Sequence, residues 1–157
     1  MRVTLEDIES LDSNIVSISI PNHSINNGNY NTFNFSRFIL LEELIIGDEC
    51  FENVNEFKID RLNHLKSIKI GINSFTHLKS DDEWNDLVVN NPTRSFHLLN
   101  CNELESIIIG IGSFSDYGGG FELKNLPKLT TIKIDSHNFC YSSFEIRGII
   151  NVYIAND

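Results

Sequence analysis

An eleven-residue motif recurs five times along this chain, and it constrains the fold more than any other feature of the sequence. The clearest copy is LESIIIGIGSF, which begins at Leu104. The other copies are IVSISIPNHSI from Ile15, LEELIIGDECF from Leu41, LKSIKIGINSF from Leu65 and LTTIKIDSHNF from Leu129. Apolar residues occupy the first, fourth, sixth and eleventh places of every copy. Because apolar residues alternate with polar ones in this way, each copy predicts a short β-strand.

A second motif follows each copy of the first. It consists of a phenylalanine with apolar residues two and five places after it. The instances are FNFSRF from Phe33, FKIDRL from Phe57, FHLLNC from Phe96, FELKNL from Phe121 and FEIRGI from Phe144. Each instance ends three residues before the next unit begins. This constant phase predicts a single structural unit that contains two strands.

The spacing of the units predicts how they assemble. The tenth place of the first motif holds a small residue able to form hydrogen bonds, namely Ser24, Cys50, Ser74, Ser113 or Asn138. Successive units are therefore about 25 residues long, apart from one that is longer, and such periods are typical of solenoids. Neither strand can enclose a core alone, so stacking must bury Leu on Leu and Phe on Phe. We predict a mainly β repeat solenoid of short parallel strands, with two strand segments per repeat and the second segment on the opposite wall.

The domain organisation follows from where the repeats begin. Residues 1–14 are expected to form an N-terminal cap, in which Thr4 opens a short helix over residues 4–11. Residues 15–157 are expected to form a solenoid of five repeats and a partial sixth that starts at Val152. The third repeat is interrupted by a long loop at residues 76–95, where its neighbours have short connections.

The apolar places of the first motif resemble those of leucine-rich repeats. Leu41, Leu44, Ile46 and Phe51 match the family's LxxLxLxx(N)xL pattern, as do the equivalent residues of the later copies, over residues 15–154. The family's usual Asn at the ninth place is present as Asn73, and the other copies have His23, Glu49, Gly112 and His137. The paired motifs look like those of irregular leucine-rich proteins of protists. The resemblance implies a parallel solenoid, and the departure from the family's pattern at the ninth place indicates that the hydrogen-bonding ladder has moved to the tenth.

Composition excludes several classes of partner. The formal charge of −10 disfavours nucleic acid and anionic membranes, since both repel an acidic surface. No apolar run approaches the roughly 20 residues of a membrane span. The three widely spaced cysteines indicate a reducing compartment, and the acidic N-terminal stretch is unlike a secretory signal. We therefore expect a cytoplasmic protein.

The connections between the strands provide one set of candidate contact residues. The long loop contains the sole tryptophan, Trp84, beside an acidic run, Asp81, Asp82 and Glu83. Trp84 either folds back over the flank of the solenoid or anchors an exposed recognition loop, because tryptophan is enriched at binding hot spots. Tyr117, in the connection SDYGGG, is a further candidate contact.

The outward face of the first strands provides a second set. In the predicted register Ile45 and Ile108 point away from the core, with Lys69 between them. Exposed isoleucines in a parallel sheet indicate either an interaction patch or a surface covered by other chain.

No group of residues has the spacing of an enzyme or metal site, and we expect neither a cofactor nor a catalytic residue. The Gly110-Ile111-Gly112 sequence is not followed by the helix that a phosphate-binding loop needs. We therefore expect a non-enzymatic interaction or scaffold module that binds a protein partner. The alternatives are a structural subunit that stacks end to end and a regulatory subunit of an enzyme.

The C-terminal edge is a candidate for self-association. The sixth unit is unfinished, and an uncovered last strand exposes unpaired backbone groups. We expect Val152, Tyr153 and Ile154 to be covered by more chain, a second copy or another subunit, unless a short final strand tolerates its open edge.

Overall fold

The computed structural model describes residues 4–27, 32–77, 91–139, 144–148 and 153–155. Within these ranges the chain forms a short α-helix, α1 (Leu5–Glu9), a 3-10 turn (Phe35–Arg37) and eleven β-strands. The strands are β1 (Ser17–Ile20), β2 (Thr32–Asn34), β3 (Glu43–Ile46), β4 (Glu56–Asp60), β5 (Ser67–Ile70), β6 (Ser95–Leu99), β7 (Ser106–Ile109), β8 (Gly120–Lys124), β9 (Thr131–Ile134), β10 (Phe144–Arg147) and β11 (Tyr153–Ala155).

The strands form two parallel sheets that face each other across the core. The odd-numbered strands, which come from the first motif, form a six-stranded sheet in the order β1-β3-β5-β7-β9-β11. The even-numbered strands, which come from the second motif, form a five-stranded sheet in the order β2-β4-β6-β8-β10. The predicted mainly β solenoid, with two parallel strand segments per repeat, is therefore confirmed.

The register places equivalent repeat positions side by side in the core. Ile18, Leu44, Ile68, Ile107 and Ile132 are aligned across five strands of the larger sheet, and all are buried. The first-place leucines, Leu41, Leu65, Leu104 and Leu129, are also fully buried. Stacking thus removes from water a continuous apolar surface that no single repeat could bury, which stabilises the solenoid.

Phenylalanines form two columns through the middle of the molecule. The eleventh-place rings stack almost parallel, with centroids 4.8 Å apart for Phe51–Phe75, 4.7 Å for Phe75–Phe114 and 4.9 Å for Phe114–Phe139. The second-motif rings stack in the same way at 4.7 Å for Phe57–Phe96 and 4.9 Å for Phe96–Phe121. Phe96 and Phe114 meet edge to face at 5.1 Å, an arrangement that aromatic quadrupoles favour. The two columns therefore join the two sheets.

The turn after each odd-numbered strand has the same backbone conformation in every repeat. The residues at the ninth and eleventh places have positive φ, and most of them are not glycine: His23, Ile25, Glu49, Phe51, Asn73, Phe75, Gly112, Phe114, His137 and Phe139. A left-handed conformation costs a residue with a side chain about 1–2 kcal/mol. Four of the five ninth-place residues nevertheless have a side chain, so the stacking of the turns must offset this cost.

The tenth-place residues form the predicted ladder. The Ser113 hydroxyl donates to Gly71 O at 2.7 Å and accepts from Ser74 N at 2.9 Å. The Ser74 hydroxyl donates to Gly47 O at 2.8 Å and accepts from Cys50 N at 3.1 Å. Each hydroxyl therefore satisfies two backbone groups that the left-handed turn leaves unpaired.

The glycines at the seventh place allow neighbouring turns to pack closely. A Cβ at Gly110 would lie 2.8 Å from the carbonyl carbon of Gly71, and a Cβ at Gly71 would lie 2.6 Å from that of Gly47. Neither contact is possible for a real side chain. The GIG sequence is therefore a structural turn.

The short helix predicted near the N-terminus is present and covers one end of the core. Thr4 caps α1, and its side chain and that of Asp7 form a reciprocal capping box. Ile8 is buried in the core, and the Arg37 guanidinium donates to Leu11 O at 2.6 Å. These contacts fix α1 against the first repeat.

Both ends of the long loop predicted at residues 76–95 are described, and both belong to the body of the solenoid. Thr76 and Arg94 are buried, and Ser95 begins β6. Residues 78–90, which include Trp84, Asp81, Asp82 and Glu83, lie outside the described residues, and so does Val152.

Candidate interaction surface

One column of side chains runs along the outer face of the six-stranded sheet. Cross-strand pairing aligns Ser19 with Ile45, Ile45 with Lys69, Lys69 with Ile108, and Ile108 with Lys133. Lys69 is exposed, whereas Ile45 and Ile108 are half-buried. The predicted position of Lys69 between the two isoleucines is therefore confirmed. Since neighbouring strands lie about 4.8 Å apart, Ile45 and Ile108 are about 10 Å apart.

Two further isoleucines, which sequence reasoning missed, are exposed in the turns that follow two strands of this sheet. Ile72 is 43% exposed and Ile111 is 38% exposed, in the turns that follow β5 and β7. The two turns are adjacent, because Asn73 N donates to Ile111 O at 2.9 Å. A signal was available: the eighth place of the motif is polar in Asn22, Asp48 and Ser136 but isoleucine in these two copies.

We call Ile45, Ile72, Ile108 and Ile111 the isoleucine patch. Lys69 lies within it, and no carboxylate among the described residues is within ion-pair distance of this lysine. The backbone beneath the patch is fixed by the parallel ladder and by the Ser74 and Ser113 hydrogen bonds. The patch is thus an apolar surface on a backbone that has little freedom to rearrange.

Charged residues border the patch on the side where the strands begin. Lys66 Nζ lies 2.6 Å from Glu42 Oε2, and Glu105 is the next residue along this column, since Glu105 N donates to Lys66 O. The hydrogen bond and charge of Lys66 lower the pKa of Glu42. An apolar centre with a rim of mixed charge is the usual composition of a protein-binding surface.

Tyr117 lies in the interior, which corrects the expectation that it is exposed for contact with a partner. Its ring is fully buried, and its hydroxyl donates to Val54 O. Burial raises the pKa of Tyr117, so the hydroxyl remains protonated. The aromatic residue of the SDYGGG connection therefore packs inside the solenoid because its hydroxyl finds a backbone acceptor there.

A buried ion pair, also missed from the sequence, holds the base of the long loop. Arg94 Nη1 lies 2.6 Å from Asp116 Oδ2, and Arg94 Nη2 donates to Glu52 O at 2.7 Å and to Val54 O at 2.9 Å. The Arg94 guanidinium carbon lies 4.8 Å from the centroid of the Tyr117 ring. Arg94 and Asp116 lie in connecting segments whose sequences differ between repeats. The repeat pattern therefore gives no sign of this ion pair.

The described cysteines are unlike catalytic nucleophiles. Burial raises the pKa of the Cys101 thiol to about 11 and also raises that of Cys50. Both are therefore protonated at neutral pH, whereas a nucleophile is a thiolate. In the part of the chain that the structure describes, no three His, Cys, Asp or Glu side chains are grouped closely enough to hold a metal ion. The absence of enzymatic activity stays a prediction.

Other predicted contacts remain untested by these observations. The loop residues Trp84, Asp81, Asp82 and Glu83 lie outside the described residues. Tyr153 and Ile154 belong to β11, which pairs with β9 at the edge of the six-stranded sheet.

Similarity to known proteins assigns no function to this chain. No protein-family model, curated protein or solved structure matches this chain. The described residues contain no helix long and apolar enough to cross a bilayer.

Proposed function

We propose that this chain is a protein-interaction module that presents the outer face of its six-stranded sheet to a protein partner. The observation that carries the proposal is the isoleucine patch, in which Ile72 and Ile111 are each more than one third exposed. A rigid apolar patch of this kind stabilises a complex by releasing water, with little loss of conformational entropy on binding.

The chemistry of the patch indicates what it binds. Apolar side chains of the partner would cover the four isoleucines, and a carboxylate would face Lys69. The alternating charges of Glu42, Lys66 and Glu105 would select among partners more than they would add affinity, because exposed ion pairs contribute little.

We also propose that the repeat is a variant of the leucine-rich repeat, of the irregular kind found in protists. The buried first-place leucines and the parallel strands of the first motif support this proposal. The variation lies in the second segment, which forms a sheet of its own, and in the ladder, which uses the tenth place. A scaffold role is consistent with such a repeat, since the outer face of the six-stranded sheet offers contact along several strands.

End-to-end association remains a second proposal. It is favoured by β11, which forms an edge of the larger sheet on the described chain and could pair with a second copy through Val152, Tyr153 and Ile154. At the other end α1 covers the core with Ile8, and a continuous stack would have to displace it. Light scattering of Tyr153→Lys and Ile154→Lys against the unmodified chain tests this association.

The experiment for the main proposal compares two variants in quantitative affinity capture. The Ile72→Glu/Ile111→Glu variant places two charges on the patch, whereas Ile39→Glu places a charge on a 58% exposed isoleucine in the turn before β3. A partner of the patch should be retained by Ile39→Glu and weakened at least about tenfold by the double variant, a change of about 1.4 kcal/mol. Equal capture by both variants would refute the proposed surface.

A further inference from the structure

The outer edge of β1 is an unpaired strand edge beside a preformed apolar groove. β1 is the first strand of the six-stranded sheet and pairs with β3 alone among the described strands. Ile8, Leu11, Ile15, Ile18 and Ile20 line the groove, together with Asp7, Ser17 and Ser19. Its volume of about 330 Å³ is at the lower limit for small-molecule sites, so it suits a few side chains better than a large ligand.

The backbone of β1 directs hydrogen-bonding groups into this open edge. Glu43 N donates to Val16 O at 3.2 Å, and Gly47 N donates to Ile20 O at 2.8 Å. In a parallel pair, alternate residues bond to the same neighbour. The N–H and C=O groups of Ser17 and Ser19 therefore point away from β3, toward the position of a further strand.

The groove is held open by the turn that connects α1 to β1. Asn14 N donates to Asp12 Oδ1 at 2.8 Å, and Ile15 N donates to Asp12 O at 3.3 Å. On the other side of the groove, the Arg37 guanidinium donates a hydrogen bond to Leu11 O and so fixes the chain after α1. An incoming strand would meet an edge that is already ordered, which reduces the entropic cost of binding.

We propose that β1 is a β-augmentation site, which binds an extended segment of a partner protein as an additional strand of the six-stranded sheet. The sheet itself specifies the apolar pattern of that segment. The inward side chains of β1, β3, β5 and β7 form two columns. One column contains Ile20, Ile46, Ile70 and Ile109, and the other contains Ile18, Leu44, Ile68 and Ile107. The segment therefore carries β-branched or leucine residues at alternate positions, which pack against Leu11 and Ile15, the apolar lining residues that keep accessible surface.

The acidic residues at the groove indicate which charge the bound segment carries. Of the described residues that line the groove, Asp7 alone has a titratable side chain. It lies in the first turn of α1, beside Glu6. The capping hydrogen bonds from Thr4 lower the pKa of Asp7, so it is ionised at neutral pH. Arg37 lies at the Leu11 end, where its guanidinium is already bonded to the backbone. A basic residue in the segment therefore complements the groove.

The chain contains a short sequence with the required pattern, which serves as the probe. The peptide KSIKIG, residues 66–71, has inward isoleucines at alternate positions and two lysines, and in the protein it pairs in parallel with both its neighbours. We expect the fluorescently labelled peptide to bind the full chain in an anisotropy titration. The reordered peptide KKSIIG, which has the same composition without the alternation, should bind at least about tenfold more weakly.

Two variants of one residue test the augmentation geometry. Ser19→Pro removes an N–H that faces away from β3, a replacement that edge strands tolerate, and it should weaken binding about tenfold or more. Ser19→Ala keeps the N–H and should bind within about twofold, since no backbone hydrogen bond is lost. If Ser19→Pro unfolds, Leu11→Lys tests the same groove from α1 and should also weaken binding. Amide exchange at Ser17 and Ser19 should slow when the peptide binds.

The outcomes separate this site from the isoleucine patch. The Ile72→Glu/Ile111→Glu variant should bind the peptide as the unmodified chain does, so either proposal can fail while the other stands. Absence of binding at millimolar peptide, equal binding of KKSIIG, or full binding by both Ser19→Pro and Leu11→Lys would overturn the inference. Self-association of the free chain that Ser19→Pro abolishes would assign the groove to a second copy and overturn the partner assignment.

Discussion

Single hydroxyl groups determine whether neighbouring turns can stack in this protein. Ser74 and Ser113 each accept from the backbone of the preceding repeat and donate to a glycine carbonyl. Cys50 occupies the same place, and its thiol approaches Pro21 O at 3.3 Å. The sequence predicted this ladder because the tenth place varies among small hydrogen-bonding residues. The left-handed backbone on either side of it was not predictable, since residues as different as Glu49 and Phe51 adopt it.

Replacing Ser74 with Ala tests the ladder. The change leaves Cys50 N and Gly47 O without their partner in a buried turn, and it should lower the free energy of unfolding by about 1–3 kcal/mol. Ser67→Ala, on the outward face of the same repeat, should change it by less than about 0.5 kcal/mol. Urea denaturation measures both variants. If the ladder does not stabilise the fold, Ser74→Ala and Ser67→Ala will have equal urea midpoints.

The long insertion illustrates how an element can be added to a solenoid without breaking its register. Both ends of the insertion are held by one residue: His77 N lies 3.4 Å from Asp116 Oδ2, and Asn91 N donates to Asp116 O at 3.3 Å. The two ends are therefore close together. Arg94, bonded to the same carboxylate, fixes the chain as it re-enters at β6. The repeat pattern predicted that the insertion lies between two strands, but it could not predict an anchor formed by two residues from different repeats.

The anchor predicts which part of the insertion is dispensable. Replacing residues 78–90 with a short Gly/Ser linker should keep the melting temperature within a few degrees, because long surface loops contribute little closure entropy. Extending the deletion to Arg94 leaves the buried carboxylate of Asp116 without its cation and should cost about 3–5 kcal/mol. Thermal melts of the two deletions give the comparison. Severe destabilisation by the shorter deletion would mean that the insertion itself contributes to the core.

At the scale of the whole molecule, repetition explains why the fold was more predictable than the binding surface. Core positions such as Phe75, Phe114 and Phe139 recur in every repeat, so their alignment could be read directly from the sequence. The isoleucine patch depends on departures from the repeat at Ile72 and Ile111, which become neighbours only once the register is known. Tyr117 shows the converse, because its place in a variable connection predicts a surface contact, whereas its side chain is buried. Function in a repeat protein thus depends on the positions that repetition predicts least well.

The isoleucine methyl groups provide the most direct test of the proposed surface. In the free protein, a soluble paramagnetic agent should broaden the methyl signals of Ile72 and Ile111 strongly and those of Ile107 and Ile109 very little. Adding a partner that Ile39→Glu still captures should shift the signals of Ile45, Ile72, Ile108 and Ile111 together and leave Ile39 unchanged. Shifts confined to residues of the five-stranded sheet, or methyls of Ile72 and Ile111 as protected as those of the core, would contradict the account.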